Sequence, residues 1–226
     1  MEMEITLPDE VPVMTLPHTT FFPQALLPLR IFEPRYRQML RDALASNRLF
    51  AVASLNQHPD EIEAFEPTHR VASVGIIRAC QENDDGTSNL LLQGLCRVEI
   101  TRITRDDPYR KIQIRALQSK PGALPEENAS LRLELSRLVH VGQKLGAAGP
   151  PELAAFLTTV EDPEAFVDIA AFNLCTDTRL KQRLLETLDV NRRLRLFSAH
   201  LRSSIEALKL QKRLQGGLQD GRIPFN

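Results

Sequence analysis

A chain of 226 residues, 42% of them hydrophobic, is long enough to bury one large core or two small ones, and 28 basic against 29 acidic residues leave a net charge of -1 that announces neither a nucleic-acid nor a membrane partner. Cys80, Cys96 and Cys175 are odd in number, far apart and without a CxxC pair, which argues against a disulfide framework and a thiolate zinc site and for reduced thiols. The opening MEMEITLPDE is acidic, and no run approaches the roughly 18 apolar residues of a membrane span, so the expectation is a cytoplasmic protein outside the membrane.

From Leu16 to Tyr36 the chain reads LPHTTFFPQALLPLRIFEPRY, with prolines at 17, 23, 28 and 34 breaking an apolar run into short pieces. Proline has no N–H for a sheet ladder, so these pieces are read as short or edge strands, with Pro34 in the first turn of a helix. That helix, over 34–46, places Tyr36, Met39, Leu40, Ala43 and Leu44 on one stripe. Four strands follow at 50–55, 71–79, 90–103 and 109–117, rich in Val and Ile, and NDDG at 83–86 has the chemistry of a hairpin turn. Alternation of Ile112, Ile114 and Ala116 with Lys111, Gln113 and Arg115 predicts one buried and one wet face. Gly75 and Gly94 sit inside strand patterns, where glycine marks the bulges that let a small sheet curl into a barrel.

After Lys120 the period changes. PGALPEENAS reads as a linker, and Leu131, Leu135, Leu138, Val141 and Leu145 then recur at helical spacing until GAAGPP. A second helix begins near Pro151, and Asp162 caps a third whose first turn holds Pro163. Asp177 or Thr178 caps a fourth, and Asp189 opens a fifth that runs to about Gln215. The seam at 190, 194, 197, 201, 205 and 208 of this last helix is an imperfect heptad pattern, from which a homodimer is expected. The division expected is thus a β-domain over 1–120 and a helical bundle over 121–226.

Catalytic signatures are missing: there is no GxxxxGK[ST], GxSxG, HExxH or GxGxxG, and the expectation is a protein that is not an enzyme and uses no cofactor. His58 and His69 flank Asp60, Glu61, Glu63 and Glu66, but the spacing fits no standard ligand set, and no metal is expected there. The last helix carries Arg192, Arg193, Arg195, Arg202, Lys209, Lys212 and Arg213 against Glu206 alone, a basic surface that nucleic-acid phosphates could use.

The run PLRIFEPRY, VGIIRAC at 74–80, LLLQGLCRVEITRI at 90–103 and LLETLDVNRRL at 184–194 resemble successive landmarks of the Lon protease N-terminal domain. The resemblance spans roughly residues 11–213. It implies an α+β fold, a PUA-like curled sheet or barrel with one early helix followed by a helical bundle ending in a long helix, and a role in recognising protein substrates. Asn226 is reached without ATPase motifs or a Ser-Lys dyad region, so the expectation is a stand-alone, non-enzymatic module that binds exposed apolar segments of client or partner proteins; the alternative is a nucleic-acid-binding protein. Phe21, Phe22 and Leu26 are the candidate partner-binding residues: two adjacent phenylalanines on an alternating strand cannot share one core, so either one of them reaches the surface or both are buried by a helix or by the opposite sheet.

Overall fold

A computed structural model describes residues 6–56, 67–147 and 149–217, with side chains up to residue 214. The order of elements is β1 (Glu10–Leu16), β2 (Leu26–Ile31), α1 (Pro34–Leu44), β3 (Leu49–Ser54), β4 (Val71–Glu82), β5 (Ser88–Arg105), β6 (Lys111–Leu117), α2 (Pro125–Lys144), α3 (Leu153–Thr159), α4 (Pro163–Leu174), α5 (Thr178–Glu186) and α6 (Val190–Gly217). Two compact units result: residues up to Ser119 together with Cys175–Leu188, and Lys120–Leu174 together with the chain from Asp189.

The first unit is a curled sheet in the order β2-β5-β4-β3-β1-β6, closed by a further pairing of β5 with β6. β5 makes that closure possible through its length. Residues 88–93 pair with β2 and residues 97–105 with β6, so one 18-residue strand serves both the ring and its flanking strand. All ladders are antiparallel except β1 with β3. Inside the ring, Val11, Val13, Leu49, Ala51, Ala53, Ala72, Val74, Val98, Ile112 and Ile114 form the core, taken at period two from five strands. Pro12 is tolerated in β1 because pairing with β6 ends there and pairing with β3 begins only at Val13.

The two strand glycines are where the ladder shifts. Val74 faces Cys96 while Gly75 faces Gly94, leaving Leu95 as the extra residue of a bulge. A Cβ at Gly94 would overlap the Phe22 carbonyl oxygen, and one at Gly75 would lie 2.7 Å from Leu92 Cγ and 2.9 Å from Phe21 Cε1. The irregular segment 17–25 crosses over this notch, held by Gln24 N–H to Gly94 O and Gly94 N–H to Ala25 O, both 2.9 Å. The NDDG turn is a hairpin as expected, with Gly86 at φ +72°.

α1 buries Tyr36, Met39, Leu40 and Ala43, and the Tyr36 hydroxyl lies 3.1 Å from Thr15 Oγ1 on β1. α5 belongs to this unit too. Arg97, 2% exposed, donates from Nε to Leu185 O at 3.0 Å, and Gln182 donates from Nε2 to Val71 O at 3.0 Å.

The second unit packs α2, α3, α4 and α6. Residues 125–130 are not linker: Pro125 takes the first helical position of α2, and Glu126 and Glu127 occupy the first turn, where the helix dipole favours carboxylates. The expected caps are present. Asp162 accepts from Ala165 N–H at 2.7 Å, Asp177 from Leu180 N–H at 3.0 Å and Asp189 from Arg192 N–H at 2.8 Å. At the centre of the unit, Arg193 and Asp168 are both fully buried and joined at 2.8 Å, with Glu164 at 3.3 Å. Burial along α6 ends at Ile205; Leu210 and Leu214 beyond it are 58% and 62% exposed.

Candidate functional site

β2 ends the strand order and, among the described residues, pairs only with β5, as suits a strand that contains Pro28. Its side chains alternate between a covered row, Leu27, Leu29 and Ile31, and an exposed row, Leu26, Pro28 and Arg30, which Phe32 continues one residue past the strand. Leu26 is 52% and Phe32 62% exposed. Register places Leu26 opposite Gln93 and Pro28 opposite half-buried Leu91, so the row extends sideways onto β5. The result is an apolar strip on an unpaired edge, punctuated by one arginine.

Phe21 and Phe22 lie elsewhere. Both are buried, at 1% and 0% exposed, which is the second of the two alternatives that the sequence left open. Strand alternation does not govern them, because residues 17–25 are irregular and drape over the Gly75–Gly94 notch. Phe22 stacks under the Arg97 guanidinium at 5.9 Å, and the Phe21 carbonyl accepts from Ser73 Oγ at 2.7 Å. Phe32 was absent from the sequence-based candidates. Its signal was parity, since it shares the exposed row with Leu26.

The basic stripe of α6 is largely neutralised within its own unit. Arg193 is the buried partner of Asp168; Arg195 pairs with Glu127 at 2.5 Å, Arg202 with Glu134, and Lys209 with Glu206 at 2.8 Å. Glu127 and Glu134 come from α2, 68 residues earlier, which a count along α6 does not see. Among the described residues, Arg192, Lys212 and Arg213 make no side-chain ion pair.

A cavity of about 270 Å³ opens in the first unit where β3 ends beside α5, lined by His18, His69, Arg179, Gln182, Arg183 and Glu186 among others. Its residues from α5 recur at helical spacing on one face. His69 Nδ1 stands 3.7 Å from Glu186 Oε1, and Gln182 Nε2 donates to the same carboxylate oxygen at 2.8 Å. His58, Asp60, Glu61, Glu63 and Glu66 lie outside the described residues. Burial raises the thiols of Cys80, Cys96 and Cys175 above their ordinary value, which keeps them protonated and weakly nucleophilic at neutral pH.

The closed strand ring with its open-edged flanking strand and the bundle with its long last helix together define a mixed α+β protein of the Lon N-terminal domain fold. The N-terminal domain of a Mycobacterium avium complex Lon protease superposes with a TM-score of 0.66 at 20% identity, covering 86% of this chain and 98% of that one. A Lon N-terminal domain protein from Xanthomonas campestris does so with a TM-score of 0.61 at 21% identity, covering 84% and 97%. Residues 10–203 match the ATP-dependent protease La (LON) substrate-binding domain, and the chain belongs to that family. Among whole proteins, it is 26% identical over 217 residues to a Lon protease of Dictyoglomus thermophilum and 28% identical over 218 residues to one of Syntrophus aciditrophicus. These alignments cover 95% of this chain and 27% and 28% of those relatives, so the chain spans little more than a quarter of the curated relatives it matches.

Proposed function

We propose that this protein is a non-enzymatic, cytoplasmic recognition module that binds exposed apolar segments of client or partner proteins. Membership of a substrate-binding domain family supports a protein partner. The observation that carries the reading is the apolar row Leu26, Pro28 and Phe32 on the unpaired edge of β2. An extended segment laid along that row would bury leucine and phenylalanine side chains that are now more than half exposed, and Arg30 would orient it through a backbone carbonyl. Of the three sequence-based candidates, Leu26 makes the direct contact in this reading, while Phe21 and Phe22 are buried and make none.

Fluorescence anisotropy with a labelled, permanently unfolded model polypeptide tests this. Wild-type protein is expected to bind saturably, and a Leu26→Ser, Phe32→Ser double variant with an unchanged melting temperature to bind at least tenfold more weakly. Equal binding by the two would overturn the assignment of this surface. No helix among the described residues is long and apolar enough to cross a membrane.

A further inference from the structure

A second cavity of the first unit, about 240 Å³, lies between α1, the turn that follows it and the β4–β5 hairpin. Three arginines line it: Arg37 and Arg41, one turn apart on α1, and Arg48, whose backbone is in a left-handed conformation at φ 63°. Among the described residues Glu82 is the only carboxylate in its lining, so the lining side chains carry two net positive charges. Arg41 donates to its neighbour Gln38 at 2.6 Å, while the side chains of Arg37 and Arg48 make no hydrogen bond or ion pair among the described residues.

Two details show that this cationic pocket is built into the hairpin. Arg37 Nη2 lies where a Cβ at Gly86 would be, so that guanidinium rests directly against the turn, whose φ of +72° itself calls for glycine. Asp85, the acid beside it, is held by the hairpin itself: its Oδ1 accepts from the Thr87 N–H at 2.9 Å and the Thr87 hydroxyl at 2.7 Å, its Oδ2 lies 3.8 Å from Arg30, and its charge is also felt by Arg37. Leu40 and Leu44 give the pocket an apolar wall next to its charges. Planar guanidinium forks match tetrahedral oxyanions, and two net positive charges balance a doubly charged anion better than a singly charged one.

We propose that this pocket binds a phosphomonoester dianion, with Arg37 and Arg48 holding the phosphoryl oxygens and Leu40 and Leu44 contacting the carbon stem that bears it. The dianion could be carried by a phosphoserine of a protein or by a small phosphorylated molecule. Both present the same group.

Titration of the full chain, followed by backbone amide NMR, would use N-acetyl-O-phosphoserine amide, AMP and a single-stranded RNA oligomer lacking terminal phosphates. Saturable shifts at Arg37, Arg48 and Gly86 with either monoester are expected, and the tighter of the two identifies the source. An Arg37→Gln, Arg48→Gln variant should weaken that binding at least tenfold. Arg37→Lys, which keeps the charge but loses the fork, should fall between the two. Binding of the RNA as tightly as the monoesters would make this a phosphodiester site and overturn the proposal. Absence of saturable shifts, or unchanged affinity in the folded double variant, would overturn it as well.

Discussion

The two units reach a close-packed interior by opposite means. In the first, the tightest contacts depend on side chains that are missing: Gly75 and Gly94 let residues 17–25 lie directly on the β4–β5 bulge. In the second, the deepest contact depends on side chains that are charged, Arg193 with Asp168, both fully removed from solvent. An interior closed by absent atoms fails when something is added. One closed by a buried ion pair fails when something is taken away, because the remaining charge stays out of water with its nearest counter-charge gone.

Removing one member of the ion pair should therefore have the largest effect. Asp168→Ala is expected to cost about 3–5 kcal/mol, read from the urea midpoint, and an Arg193→Met, Asp168→Leu double replacement should recover most of it. Gly94→Ala comes next, at about 1–3 kcal/mol for the forced shift of the 17–25 segment; an unchanged midpoint would remove the notch argument. Asp177→Ala, which deletes a cap from α5, is expected to cost about 1 kcal/mol. Smallest of all, Arg202→Ala should lie within about 1 kcal/mol of wild type, since its pair with Glu134 is solvent-exposed. A shift in apparent mass with concentration that disappears in a Leu210→Ser, Leu214→Ser variant would show that the exposed end of α6 joins two copies.

Local chemistry was the legible part of this chain. Asp162, Asp177 and Asp189 announce their helices because a cap and its first turn are adjacent in sequence, and NDDG announces its hairpin for the same reason. What needed a distant partner was not legible. Phe21 and Phe22 look like strand residues until Gly94, over 70 residues away, is seen to receive their backbone. The α6 stripe looks cationic until α2 supplies Glu127 and Glu134. PGALPEENAS reads as linker because proline and acids are common to loops and to helix first turns alike, and only the hydrogen bonding from Pro125 onward separates the two. The arginine pocket has the same origin: Arg37 and Arg48 are unremarkable in sequence, and the hairpin that shapes their cavity begins some thirty residues later.

The placement of α5 bears on how the chain can be cut. Because Cys175–Leu188 returns to the first unit, the polypeptide passes from one unit to the other three times, after Ser119, after Leu174 and after Leu188. A single nick after Ser119 would leave the strand ring as one fragment and α5 on the other, held together by the buried Leu184 and Leu185 and by the Arg97 and Gln182 hydrogen bonds. Cleavage there would register on a denaturing gel as two pieces while gel filtration still showed one particle, and a truncated chain ending at Ser119 would lack the carbonyl that its buried Arg97 requires.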